Sequence, residues 1–170
     1  MMKKILLFVV FGLITSAGFS QVKYKTKVEV GYLHFSYNPV QIDPGPNWKG
    51  YHLNGENGID LNAIFGASLN KKIFLGAGLG YLNFDGINGY SLFGDFQYTP
   101  LKTKLSPFVD LRVGYNHIWN QYENGTGSAS GELGLGAKYK LTDKINIYIQ
   151  TGFLITQQSF LVPIRLGFEF

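Results

Sequence analysis

From Val28 onward, apolar and polar residues alternate in segments of about ten residues that are separated by turn-forming stretches. An apolar residue at every second position is the period of a β-strand whose two faces meet different surroundings. No helical period of 3.6 extends beyond a few residues. The pattern predicts eight strands, at residues 24–37, 58–70, 73–83, 89–99, 106–117, 128–141, 145–156 and 160–170.

The second predicted strand separates its two faces most clearly. Its apolar face carries Ile59, Leu61, Ala63, Phe65, Ala67 and Leu69, and its other face carries Asp60, Asn62, Ile64, Gly66, Ser68 and Asn70. The first strand is the least regular, because the phase of Val28, Val30 and Tyr32 changes towards Leu33 and Phe35. We expect a β-bulge at that change of phase.

The volume of the side chains indicates which face of the strands points into the barrel. The interior of an eight-stranded barrel is only just wide enough for side chains to fill it. The apolar face carries Leu, Ile, Phe and Tyr almost throughout, whereas the other face mixes glycine with charged and amide groups. Glycine makes room for long neighbours only on the crowded side, so the large apolar residues are predicted to point outward, against lipid. The alternative is a soluble barrel or sandwich with an apolar interior.

Tyrosines support the outward assignment. Six of them share the apolar phase and lie near predicted strand ends: Tyr32, Tyr81, Tyr90, Tyr98, Tyr115 and Tyr139. Tyr90 and Tyr98 bracket one strand and are separated by roughly 26 Å of extended chain. With strand tilt, this separation matches the two aromatic girdles of a membrane barrel.

The predicted connections alternate in length. Long connections follow the first, third and fifth strands, at residues 38–57, 84–88 and 118–127, and short ones follow the second, fourth and sixth, at Lys71-Lys72, Pro100–Leu105 and Thr142–Lys144. The last connection, Gln157–Ser159, is also short. With a periplasmic N-terminus, the long connections face the cell exterior.

The first twenty residues have the three parts of a secretory signal peptide. Lys3 and Lys4 precede the uncharged apolar run Ile5–Ile14, and Gly18-Phe19-Ser20 forms a small-residue cleavage site before Gln21. A helix of ten residues spans about 15 Å and the hydrocarbon core needs about 30 Å, which disfavours a membrane anchor. We expect residues 1–20 to be removed and residues 21–170 to form one barrel domain.

Composition narrows the classes of function. Removal of Lys3 and Lys4 lowers the net charge from +4 to +2, which does not support a nucleic-acid-binding face. The chain has no cysteine, so an exported form is held together without disulfides.

The last predicted strand, Val162–Phe170, has apolar residues at alternate positions and an aromatic residue third from its end. With Ile164, Leu166, Phe168 and Phe170 in one phase, it resembles the C-terminal strand of bacterial outer-membrane barrels, which the insertion machinery reads as a signal. Together with Gly76–Tyr81 and Gly134–Tyr139, the mature chain resembles the small eight-stranded superfamily of OmpA-like and OmpX-like barrels. The resemblance implies contact with the barrel-insertion machinery, outer-membrane lipid and lipopolysaccharide in a Gram-negative envelope, and it fixes no task.

Five charged residues fall in the inward phase near the middle of their strands: Asp95, Asp110, Arg112, Glu132 and Arg165. An unpaired charge in so narrow a space costs several kcal/mol, so we expect these side chains to pair. The structural interpretation is an ion-pair network that fills the lumen and fixes the register. The functional alternative is a gate or a proton path.

Candidate catalytic groups are few. His34, His52 and His117 are scattered, which argues against a zinc site. His34-Phe35-Ser36 resembles the His-x-Ser pair of outer-membrane lipid A deacylases, but in that family the pair lies late in the chain and is followed by Asn and a downstream Glu. We therefore expect no enzymatic activity and no cofactor.

Aromatic residues in the outer connections are candidate contacts for a surface ligand: Trp48, Tyr51, Trp119 and Tyr122. The alternative is that Trp48 and Trp119 rest at the lipid interface. Taken together, the sequence predicts an all-β protein, a transmembrane antiparallel up-and-down barrel with a structural or surface-interaction role. A transport barrel for small hydrophobic molecules, of the OmpW-like kind, is the second hypothesis, and a lipid A-modifying enzyme is the third.

Overall fold

The barrel is closed and consists of eight antiparallel strands. A computed structural model describes residues 22–39, 53, 55–119 and 125–170. The strands are β1 (Val22–Tyr37), β2 (Gly58–Leu69), β3 (Ile73–Phe84), β4 (Ile87–Tyr98), β5 (Leu105–Ile118), β6 (Thr126–Lys140), β7 (Asn146–Thr156) and β8 (Ser159–Glu169). Each strand pairs with the next and β1 pairs with β8, so the predicted eight-stranded up-and-down barrel is confirmed. Within the described residues, no helix is long and apolar enough to cross a membrane. The expected signal peptide, residues 1–20, lies outside them.

The connection between β3 and β4 is shorter than the sequence suggested. Only Asp85 and Gly86 join the two strands, with φ of 48° and 90°. These left-handed conformations form a tight two-residue hairpin, for which Asp-Gly is a favoured sequence. Phe84 and Ile87 therefore pair directly, and the predicted long connection at 84–88 is wrong.

The bulge predicted in β1 is misplaced. Val30 and Tyr32 are exposed and Leu33 is fully buried, so the alternation continues through Leu33 without a change of phase. The irregularity lies closer to the strand end, between Phe35 and Tyr37, where the pairing with β8 shifts. Leu33 looked out of phase because it is an apolar residue that points into the lumen.

Large apolar side chains cover the outside of the barrel, as predicted. Near mid-strand Leu79, Val113 and Leu135 are 61 %, 64 % and 63 % exposed. Their chain neighbours point inward, where glycines accommodate bulky rings. A Cβ added to Gly78 would lie 2.4 Å from the Phe93 ring, and one added to Gly136 would lie 2.3 Å from Phe108. The crowded side of the sheet is therefore the lumen.

Two ends of the barrel differ in their connections. The turn end carries the β2–β3, β4–β5 and β6–β7 connections and the start of β1, and the loop end carries the other four connections. At the loop end the lumen is filled by an apolar plug, composed of Leu33, Leu53, Leu82, Phe84, Ile118, Leu154 and Leu161. The lumen is thus not polar throughout, and charged side chains occupy its middle and its turn end.

Candidate functional site

The middle of the lumen holds a charged layer, organised around Arg112 on β5. Its guanidinium donates to both carboxylate oxygens of Glu29 on β1, at 2.7 and 2.6 Å, so the pair crosses the barrel. Arg112 Nε also donates to Asp110 at 2.9 Å. A bidentate pair of this kind fixes both distance and orientation, because the planar guanidinium matches the two carboxylate oxygens.

A second guanidinium occupies the same layer. Arg165 on β8 donates through Nε to Asp60 on β2 at 2.7 Å and through a terminal nitrogen to Glu132 on β6. Asn62 joins the two halves of the layer, since its amide donates to Asp60 at 3.0 Å and to Glu29 at 3.5 Å. Side chains from opposite walls are therefore held in one hydrogen-bonded network.

Lys27 completes the charged layer on the side nearer the turn end. Its ammonium lies 3.0 Å from Asp95 and 3.9 Å from the centroid of the Phe74 ring. Arg112 is 3.9 Å from the same Asp95 carboxylate. The layer thus contains five carboxylates, Glu29, Asp60, Asp95, Asp110 and Glu132, and three cations, Lys27, Arg112 and Arg165.

Aromatic rings close the remaining space around these charges. Tyr148 donates its hydroxyl to Glu29 at 2.7 Å, and its ring meets Phe108 edge-on at a centroid distance of 5.8 Å. Phe93 lies 5.2 Å from the Arg112 guanidinium. Between the charged layer and the apolar plug there is a cavity of about 30 Å³, which has room for about two water molecules. The described lumen is therefore packed across its section.

The five charged residues predicted for the lumen lie together in this layer. Reasoning from sequence missed Lys27, Glu29, Asp60 and Tyr148, which are equally buried. All four occupy the inward phase of their strands, and continuing the alternation through β1 would have identified the first two. The change of phase towards Leu33 and Phe35 obscures this signal in the sequence of β1.

The six predicted tyrosines all face outward and are partly exposed. Four of them lie towards the loop end: Tyr32, Tyr81, Tyr90 and Tyr115. Tyr98 and Tyr139 lie towards the turn end, together with the exposed Tyr24.

Trp119 continues the row at the loop end. Its ring lies 5.6 Å from that of Tyr90 and 5.1 Å from that of His117. The other candidate loop contacts, Trp48, Tyr51 and Tyr122, lie outside the described residues.

Two of the three histidines are described, and both lie on the outer surface. His34 Nδ1 is 3.0 Å from the side-chain oxygen of Asn57, and this oxygen also accepts the backbone N–H of Phe35 at 2.9 Å. His117 stacks on Tyr90. Within the described ranges no three His, Asp or Glu side chains are arranged to hold a metal ion.

The outward row Ile164, Leu166, Phe168 and Phe170 belongs to the seam that closes the barrel. β8 pairs with β1 along this stretch, from Tyr32↔Ile164 to Val28↔Phe168. The Phe170 N–H donates to the Thr26 carbonyl at 2.9 Å, which extends the pairing beyond the last strand residue. The seam is therefore as continuous as the other strand pairs in this region.

Comparison with known proteins identifies the fold and not a close relative. No family model matches the chain, and no curated protein matches it in sequence. Solved structures do match. Neisserial surface protein A (NspA) superposes with a TM-score of 0.67 at 10 % identity, over 87 % of this chain and 97 % of that chain. The fold is that of a small eight-stranded outer-membrane barrel.

Two further solved structures share the fold. The N-terminal barrel domain of Pseudomonas aeruginosa OprF matches with a TM-score of 0.55 at 16 % identity, over 87 % of this chain and 100 % of that domain. Ail, the attachment invasion locus protein of Yersinia pestis, matches with a TM-score of 0.52 at 10 % identity, over 88 % of this chain and 99 % of that chain. The resemblance inferred from the sequence is confirmed at the level of the fold.

Proposed function

We propose that this chain is a non-enzymatic integral protein of the outer membrane, in which a sealed barrel stabilises the envelope and presents its loop end to surface partners. The observation that carries the proposal is the combination of an apolar outer surface with a packed lumen. Monomeric soluble proteins rarely expose contiguous apolar patches larger than a few hundred Å². Here the exposed apolar residues follow one another around all eight strands. Such a surface is stable against acyl chains and not against water.

The charged layer and the apolar plug support the sealed state. An ion that crossed the lumen would have to displace the Arg112–Glu29 pair or pass the Arg165–Asp60 pair, both of which are buried. It would then meet the plug, where Leu33, Phe84 and Leu161 are fully buried. We infer that the network fills and rigidifies the barrel and does not serve as a gate.

The two longest connections, β1–β2 and β5–β6, lie at the same end and support an orientation of the barrel. We propose that residues 1–20 direct export, that the N-terminus of the mature chain is periplasmic, and that the loop end faces the cell exterior. The outward row on β8, Ile164 to Phe170, is the segment that we expect the insertion machinery to read. The loop end, with Trp119 beside Tyr90, then lies at the outer interface with lipopolysaccharide.

Electrophysiology tests the sealed barrel. Purified protein inserted into planar bilayers should give no sustained discrete conductance. The triple variant Phe93→Ala/Tyr148→Ala/Phe84→Ala, which removes two rings from the charged layer and one from the apolar plug, should conduct. Steady single-channel steps from the unmodified protein would contradict the proposal. Fractionation of the envelope by density provides the matching test of location, with the chain expected in the outer-membrane fraction.

A transport role for small hydrophobic molecules is the second candidate, because the apolar plug at the loop end offers an apolar entry. The charged layer beneath it disfavours an apolar path through the whole lumen. Vesicles that contain the barrel should take up an apolar fluorescent probe no faster than vesicles without protein.

A lipid A-modifying enzyme is the third candidate. His34 contacts Asn57 in place of Ser36, so the His-x-Ser pair is not arranged as a base and a nucleophile. Mass spectrometry of lipid A with and without the protein should show identical species.

A further inference from the structure

Charge is distributed unequally between the two ends of the barrel. The turn end carries seven exposed lysines: Lys23, Lys71, Lys72, Lys102, Lys104, Lys140 and Lys144. Its one exposed acidic residue among the described residues is Asp143. The described part of the loop end contains Glu56 and Asp85 and neither lysine nor arginine. The turn end therefore has a positive potential that would attract anions.

Three of these lysines line a groove between the β4–β5 and β6–β7 connections. The groove is lined by Lys102, Lys104 and Lys140, together with Leu141, Asp143 and the threonines of the same two connections. Lys144 follows Asp143 in the chain. The Lys140 N–H donates to the Lys104 carbonyl at 2.8 Å, which ties the two connections together. Thr142 Oγ accepts the N–H groups of Lys144 and Ile145 at 3.2 and 3.0 Å, so the second connection is a defined turn.

Exposed leucines interleave with these lysines. Leu101 lies in the first connection, Leu105 begins β5 and Leu141 starts the second connection. These three side chains are 50 %, 59 % and 50 % exposed. Tyr139 is the aromatic residue at the same level, and the Lys104 ammonium lies 5.2 Å from its ring. Leucine in contact with acyl chains beside lysine places the ammonium groups at the depth of the lipid phosphates.

The charge state of the groove favours an anion. The neighbouring Tyr139 side chain raises the pKa of Lys104. Lys140 pairs with Asp143 and lowers the pKa of this carboxyl. Within the described residues, Lys102 and Lys144 take part in no ion pair, so their charge is not offset by the protein.

We propose that the groove between the β4–β5 and β6–β7 connections binds the headgroup phosphate of an anionic glycerophospholipid in the leaflet at the turn end. The inference rests on the proposed membrane-spanning barrel. A soluble acidic partner would not need the interleaved leucines. A lipid uses both features, because its phosphate meets the ammonium groups while its acyl chains cover Leu101, Leu105 and Leu141.

The test compares lipids in nanodiscs of phosphatidylcholine that contain either spin-labelled phosphatidylglycerol or spin-labelled phosphatidylcholine. Electron paramagnetic resonance gives the relative association of each label with the barrel. The unmodified mature protein should prefer phosphatidylglycerol, and Lys102→Gln/Lys104→Gln should reduce that preference at least about fivefold, as expected when cationic groups at a membrane surface are lost. The matched control is Lys71→Gln/Lys72→Gln, which removes the same charge from a connection without leucines and should retain most of the preference.

Equal losses in the two double variants would show a diffuse positive field and overturn the groove as the site. No preference in the unmodified protein, or stronger retention of lipid A than of phosphatidylglycerol in the same discs, would also overturn it. Failure of the protein to insert into the discs at all would instead contradict the proposed function. Lys71, Lys72, Lys102 and Lys104 are all exposed. Heat-modifiable migration on SDS gels should therefore be the same in both double variants as in the unmodified protein.

Discussion

Arg112→Ala is the substitution that tests the charged layer most severely. Arg112 contacts three carboxylates, with two hydrogen bonds to Glu29, one to Asp110 and a 3.9 Å ion pair to Asp95. Its removal leaves five carboxylates with two cations, Lys27 and Arg165. Glu29 would keep the Tyr148 hydroxyl and the Asn62 amide as donors, and neither of these carries a charge.

The expected loss of stability follows from this arrangement. Removing one partner of a buried ion pair costs about 3–5 kcal/mol, because it leaves an uncompensated charge out of water. The loss of the guanidinium contact with the Phe93 ring acts in the same direction. Adding Glu29→Gln to Arg112→Ala removes one of the unpaired charges and should recover about 0.5–3 kcal/mol, which is the usual range of coupling between contacting residues.

Equilibrium unfolding by urea in lipid vesicles measures these differences, followed by tryptophan fluorescence and by migration on unboiled SDS gels. Lys140→Ala is the matched control, because it removes a cation whose ion pair with Asp143 is exposed, and it should leave the urea midpoint unchanged. If Arg112→Ala unfolded within about 0.5 kcal/mol of the unmodified protein, the range of ordinary surface substitutions, the buried network would not contribute as described.

Two other substitutions test the assignment of the two faces. Gly78→Ala should lower the free energy of unfolding by about 1–3 kcal/mol, because its Cβ would meet the Phe93 ring at 2.4 Å. Gly94→Ala, on the outer face, should change it by no more than about 0.5 kcal/mol, since the nearest atom to its Cβ is 3.8 Å away; equal effects in urea unfolding would refute the packing argument. Leu133→Arg, at mid-strand on the outside, should cost about 2–4 kcal/mol in vesicles, whereas Leu105→Arg at the turn end should cost about 0–1 kcal/mol. If Leu105→Arg cost more unfolding free energy than Leu133→Arg, the hydrocarbon core would not lie at the middle of the strands.

Most of the barrel could be predicted from local pattern. Alternation fixes strand existence and the facing of side chains, so β2 and β5 begin and end within one residue of the predicted bounds. The hairpin at Asp85-Gly86 was missed because the strand residues that flank it, Phe84 and Ile87, point into the apolar plug and look irregular beside a polar inner face. Because the lumen changes from charged to apolar along its axis, the inward positions near the plug do not follow the alternation of apolar and polar residues.

The pairing within the charged layer could not be predicted in the same way. Alternation places Arg112 and Glu132 in the lumen, but the partner of Arg112 is Glu29, from a strand on the opposite wall. That contact depends on strand number and stagger together, which set the relative height of residues across a closed barrel. Sequence alone therefore identified the members of the layer incompletely and did not identify its pairs.

The most direct test of the account is the accessibility of single spin labels on the outer face of β5. Because the chain contains no cysteine, Val109→Cys, Leu111→Cys and Val113→Cys can each be labelled without other changes. In vesicles, collisions with oxygen should dominate over collisions with a water-soluble nickel complex at all three positions, most strongly at Leu111 near mid-strand. Labels that collide preferentially with the nickel complex would show that this face meets water, and the membrane-spanning assignment would be wrong.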